Sequence, residues 1–126
     1  MVFRKFEDME IWQDGRKMVN AIYAISASGD FAKDWGFRDQ IRRAAVSICS
    51  NIAEGYARRG NKEMVNFLWI AKGSAAEVQS QLYHALDIGY VTKEVFDSLY
   101  DDLNKMQAKI YRLMQSLSSD SNRRKL

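Results

Sequence analysis

Proline is absent from all 126 residues. It removes a backbone donor and clashes inside a helix, so a chain without it can run in long uninterrupted helices. The apolar residues supply the matching period. From Met64, the positions Phe67, Leu68, Ala71, Ala75, Val78, Leu82, Ala85 and Leu86 recur at three- and four-residue spacing, which is one face of a helix. Ile11, Gly15, Met18, Val19, Ile22 and Ile25 repeat the pattern earlier in the chain. So do Phe37, Ile41, Ala44, Ala45, Ile48, Ile52 and Gly55, and later Val95, Leu99, Leu103, Met106, Ile110, Leu113 and Leu117.

These stripes predict helices over about 6–28, 34–59, 62–87 and 92–117. Gly29, Gly36, Gly60 and Gly89 stand near the expected breaks, where glycine ends helices most readily. Gly29–Lys33 reads as a connector, Asn61 and Thr92 as N-caps, and 118–126 (SSDSNRRKL) as a disordered basic tail. Short links between long helices make neighbours antiparallel. The fold class is therefore all-α, an antiparallel up-down-up-down four-helix bundle in one domain, 1–117. A chain of this length buries roughly two-thirds of its unfolded surface, enough for its own core.

Two of the helices are apolar on more than one side. Val46, Cys49, Ala53 and Tyr56 widen the 34–59 stripe, and Trp69, Gly73 and Ala76 form a second strip on 62–87. The first of these arcs is roughly 200° wide, about twice what one bundle core needs. The surplus predicts a subunit interface, and hence a homo-oligomer.

A single cysteine, Cys49, cannot form an internal disulfide and fits a reducing compartment. The first residues, MVFRKFEDMEIW, lack an apolar signal core. The longest uncharged runs, Met18–Gly29 and Ala44–Ala53, are too short to span a bilayer. The expected location is cytoplasmic, with no membrane partner.

The chemistry-bearing residues are sparse. Carboxylate metal bundles use Glu-x-x-His pairs, but the lone histidine, His84, follows Gln81 at that spacing. Cys49 lies on the apolar side of its helix with no histidine nearby in sequence, so packing is its expected role. Ala57–Lys62 lacks phosphate-loop spacing. No metal, no cofactor and no enzymatic activity are expected.

Charge is the more informative signal. The net charge is +3, and residues 34–62 carry six Arg and Lys against three Asp and Glu. Arg58, Arg59 and Lys62 fall at the turn between the second and third helices, where they can reach outward. Such side chains neutralise backbone phosphates and bind with little sequence preference. Arg42 and Arg43 read instead as structural ion pairs or interface residues. Asn51 and Glu54, with Ser47 and Ser50, are placed to face Ser74, Glu77 and Gln81 in a polar network, and Trp69 sits on the surplus apolar strip.

The stretch QIRRAAVSICSNIAEGYARRGNKEMVNFLWIAKGSAAEVQSQL, with FEDMEIWQ before it and LDIGYV after it, resembles the 23S rRNA intervening sequence proteins. The likeness runs from Phe6 to Val91 and is most specific at Ser50–Gly55 followed by Arg58 and Arg59. Cys49 stands where the family pattern commonly has proline. The resemblance implies a pentameric barrel of four-helix bundles. It also implies kinship with the accessory variability determinant of diversity-generating retroelements, which binds nucleic acid and a reverse transcriptase.

Together these features predict a non-enzymatic oligomer that contacts RNA or DNA phosphates through Arg58, Arg59 and Lys62. The rival expectation is a scaffold that docks a partner protein through exposed residues such as Trp69 and Tyr83.

Overall fold

The computed structural model describes residues 3–125, with side chains through Ser119. A 3-10 turn, Phe6–Asp8, leads into α1 (Glu10–Ile25), α2 (Gly29–Lys33), α3 (Trp35–Ala57), α4 (Asn61–Ile88) and α5 (Lys93–Lys125). No strand occurs among the described residues. The four long helices pack in a closed cycle: α1 on α3, α3 on α4, α4 on α5 and α5 on α1. The result is a helical bundle around one core. Among the described residues, no helix is long and apolar enough to cross a membrane.

The stripes read from the sequence fill that core. Ile22, Ile41, Ile48, Ile52, Leu68, Leu82, Leu103 and Ile110 are fully enclosed. Burying a side chain of this size is worth about 1.5–3 kcal/mol. Lys109 ties α5 to α1, donating to Glu10 at 2.6 Å and to Asp14 at 2.8 Å. The ammonium hydrogen-bonded to Glu10 lowers that carboxyl's pKa, and the two acceptors raise that of Lys109. Glu10 is exposed while Lys109 and Asp14 are half-buried, so the Glu10 contact contributes little stability and the Asp14 contact is the better shielded of the two.

Four local expectations are corrected. The first helix does not begin at Phe6. Met9 adopts extended backbone and is almost wholly buried, so the chain must break there to plant it in the core. The connector Gly29–Lys33 is itself helical because Phe31 anchors it. Its buried ring stacks on Phe37 at 5.5 Å and on Tyr90 at 5.0 Å. Asn61 is not an N-cap. Gly60 holds that position in extended backbone, and the Asn61 amide reaches the Leu117 carbonyl at 3.5 Å.

The fourth correction concerns the chain end. α5 does not stop at Leu117 but continues to Lys125. Nothing in SSDSNRRK breaks a helix, since it holds no glycine or proline, and three cations near a C-terminus suit the helix dipole. The side chains of Arg123, Arg124 and Lys125 lie outside the described residues.

Two sequence signals match the structure closely. Gly89 closes α4 in the left-handed region, φ 90°, as a helix-terminating glycine does. The Thr92 hydroxyl accepts from the Val95 backbone N–H at 3.2 Å, capping α5.

Candidate nucleic-acid interface

The turn from α3 to α4 is built from three residues, Arg58 to Gly60. Arg58 ends α3 in helical geometry. Arg59 then takes φ 58°, the only positive φ outside glycine among the described residues. Its N–H donates to the Tyr56 carbonyl at 3.2 Å, and Gly60 carries the chain into α4. Left-handed backbone costs a non-glycine residue roughly 1–2 kcal/mol. Glycine stood one position away, so the turn holds an arginine where its backbone favours glycine.

That geometry presents the basic side chains unequally. Arg59 and Lys62 are exposed, and neither has an ion-pair or hydrogen-bond partner among the described residues. Arg58 is tied down. Its guanidinium lies 3.0 Å from the Glu54 carboxylate and 5.3 Å from the centroid of the Phe67 ring. Both partners of the ion pair are about half exposed, so it is a weak link. The unshared positive charge of the turn therefore rests on Arg59 and Lys62. The hydrogen bond from Asn61 to Leu117 sets α5 beside this turn, and eight further residues of helical backbone extend beyond that point.

Replacing Arg59 by glycine is expected to stabilise the fold by about 0.5–1 kcal/mol. It removes the left-handed penalty, and the greater entropy of unfolded glycine offsets part of that gain. A urea midpoint that rises with unchanged slope would show it.

Arg42 has a different task. Its Nε donates to the Ser26 hydroxyl at 2.8 Å, and its Nη2 reaches the Ser26 and Tyr23 carbonyls at 3.3 and 3.4 Å. The guanidinium also lies over the Tyr23 ring at 4.3 Å. Arg42 thus binds the open C-terminal carbonyls of α1, where a cation complements the helix dipole. Where the sequence reading expected an ion pair or an interface, Arg42 makes hydrogen bonds to the Ser26 hydroxyl and to carbonyls, and no ion pair among the described residues. Arg43 is exposed and makes no ion pair among the described residues.

The expected polar network forms in part. Asn51 donates to the Ser47 carbonyl at 2.8 Å and to its hydroxyl at 3.0 Å, and that hydroxyl meets Ser74 at 2.9 Å. Ser47 and Ser74 thereby join α3 to α4. Glu54 is outside it, paired with Arg58, and Ser50 and Glu77 are exposed. The sequence reading missed a second network between α4 and α5. Buried Gln79 donates to Asn104 at 2.8 Å and accepts from Gln107 at 2.7 Å. Gln79 follows Val78 in the core stripe, and the spacing Asn104–Gln107 was the only available hint.

Trp69 is 53% exposed, beside Ile70 at 52%. It meets Tyr111 edge-on, with centroids 6.4 Å apart. His84 and Cys49 are not brought together. Cys49 packs on α1 by Gly15 and the Trp12 carbonyl, whereas His84 lines a groove between α3 and α4. Burial pushes the Cys49 thiol up to about 11, so it stays protonated at neutral pH and is a poor nucleophile.

Fold and surface define a class: a helical bundle with an exposed basic turn between two of its long helices. A family model described as 23S rRNA-intervening sequence protein matches residues 7–112, and the chain belongs to that family. A solved structure shares the fold, with a TM-score of 0.74 at 21% identity. It is a protein of unknown function from the S23 ribosomal protein family of Bacteroides thetaiotaomicron, determined at 1.70 Å. The match covers 82% of this chain and 97% of that one. No curated protein matches the chain.

Proposed function

We propose that this protein is a cytoplasmic, non-enzymatic oligomer that binds RNA or DNA through backbone phosphates. The observation that carries the reading is the α3–α4 turn, where Arg59 and Lys62 stand exposed and unpaired among the described residues. Arg58 contributes the part of its charge that Glu54 does not take. In this reading the long helices form an antiparallel up-down-up-down four-helix bundle, and five bundles assemble into a ring. The exposed Trp69, Ile70 and Val46 on α4 and α3 supply apolar surface for such an assembly. Each subunit repeats the basic turn, so weak contacts act together along one nucleic acid. The kinship with the accessory variability determinant that the sequence resemblance implies would fit the same reading.

A second reading has its own support. Trp69, Tyr83 and Ile88 are each about half exposed, which suits a scaffold that docks a partner protein. Titration of RNA and DNA into a monodisperse sample, with its mass fixed by light scattering, separates the two. Affinity that falls steeply between low and moderate salt supports the phosphate reading. Absence of binding at low salt removes it and favours the scaffold.

A further inference from the structure

Beside the basic turn, α4 and α5 leave a groove of about 350 Å³ between them. Val65, Trp69, Tyr111, Gln115, Ser118 and Ser119 line it. The hydrogen bond from Asn61 to the Leu117 carbonyl sets this groove at the same end of the bundle as Arg59 and Lys62. Trp69 is half exposed, and Tyr111 is 43% exposed. Their ring planes stand 68° apart. In an edge-on pair one ring offers only its rim, so flat aromatic surface stays open to a third ring.

The charges around the groove have one sign. No carboxylate lines it, and lysines stand at both ends of its α4 wall. Lys62 lies seven residues before Trp69 and Lys72 three residues after it. That is roughly 10 Å and 5 Å along the axis, with all three side chains within about 80° of the helix surface. The Lys72 ammonium is 6.0 Å from the Trp69 centroid and, like Lys62, pairs with no carboxylate among the described residues. Glu63, the one acidic residue of α4 over 61–74, lies about 120° around the helix from Trp69.

An open aromatic ring between two unpaired cations matches a nucleic-acid strand, where base and phosphate alternate. A duplex keeps its base faces inside the stack and cannot use Trp69, whereas an unpaired strand can. Gln115, Ser118 and Ser119 add donors and acceptors suited to a base edge. A second copy of the chain is the poorer occupant, because lysine and serine are depleted from the cores of protein interfaces.

We propose that the nucleic acid held by the basic turn is single-stranded, with one unpaired base stacked in the Trp69–Tyr111 groove and flanking phosphates on Lys62 and Lys72. The inference rests on the phosphate-binding reading and names its ligand class. In that role Trp69 is not part of the surface between subunits, where Ile70 and Val46 remain.

The test is fluorescence anisotropy of the full chain with short labelled RNA and DNA strands, and with each strand annealed to its complement. Titrations are made at several salt concentrations, with mass followed by light scattering. Trp69→Ala is expected to weaken single-strand binding about 5- to 150-fold, the value of one stacked base, with an unchanged salt slope. Trp69→Phe keeps a ring and should recover most of that loss. Neither should affect duplex binding. Lys72→Ala should flatten the single-strand salt slope by about 0.7. Trp35, 70% exposed at the opposite end of α3 from the basic turn, is the control, and Trp35→Ala should change nothing. A Trp69→Ala loss equal for strand and duplex, or reproduced by Trp35→Ala, overturns the stacked base. So does a changed mass in Trp69→Ala, which assigns the ring to the subunit interface. If the parent binds neither form at low salt, the phosphate reading fails and takes this inference with it. If the parent binds with a steep salt slope and Trp69→Ala binds the strand equally well, only the stacked base is removed.

Discussion

Replacing Gly55 with alanine is expected to destabilise the protein by about 1–3 kcal/mol, the usual cost of overfilling a packed core. At this chain length that lowers the melting temperature by about 4 °C per kcal/mol. Gly55 sits inside α3 where α4 crosses it. An added Cβ would lie 2.8 Å from the Phe67 Cβ, 2.9 Å from the Met64 sulfur and 3.5 Å from the Met64 Cα. The sulfur can swing away. The Phe67 Cβ cannot, because it is fixed to the α4 backbone, so the two helices must separate. Opposing this is the helix propensity of alanine, worth about 1 kcal/mol over glycine. Separation must outweigh that gain for the sign to hold. Gly36, also in α3, has nothing within 4 Å of its added Cβ. Gly36→Ala should therefore show the propensity gain alone, and a thermal melt of both variants reads the opposite signs directly. If Gly55→Ala melts at or above the parent, the α3–α4 crossing is looser than its distances indicate.

Gly55 also shows what the sequence could reveal. It was visible as a member of the apolar stripe from Phe37, because a glycine at a core-facing position marks close approach. Which residue it approached was not visible, since that depends on the register of α4 against α3. The same division holds elsewhere. Period alone located Ile48, Leu68 and Leu103 in the core, for burial follows directly from position on a face. Period could not locate Phe31, a single aromatic in a polar link, whose burial depends on Phe37 and Tyr90 arriving from two other elements. Nor could it find the break at Met9, where a tertiary pocket overrides local helix propensity.

The candidate site divides along similar lines. Arg58, Arg59 and Lys62 were legible as a cluster at a turn, because a glycine followed two arginines between apolar stripes. Their inequality was not legible. Pairing of Arg58 with Glu54 is an i,i+4 contact that spacing permits but does not require, and the left-handed φ at Arg59 depends on how α3 terminates.

The triple substitution Arg58→Ala, Arg59→Ala and Lys62→Ala is expected to abolish most nucleic-acid binding. Each phosphate neutralised contributes about 0.9 to the slope of log affinity against log salt on duplex DNA, and about 0.7 on single strands. Three lost cations per engaged subunit would flatten that slope by about 2–3. The single variants should rank unequally. Arg59→Ala and Lys62→Ala each remove an exposed charge with no competing partner among the described residues. Arg58→Ala removes one already shared with Glu54 and frees that carboxylate to repel the phosphate, so its effect combines a lost attraction with a gained repulsion. Glu54→Gln separates the two contributions, because it should strengthen binding by releasing Arg58. Arg59→Gly adds a control for folding, since it is expected to raise stability while lowering affinity, and no general loss of structure can do both. An unchanged slope in the triple variant would remove the turn from the binding surface, and leave its left-handed arginine as strain without a use.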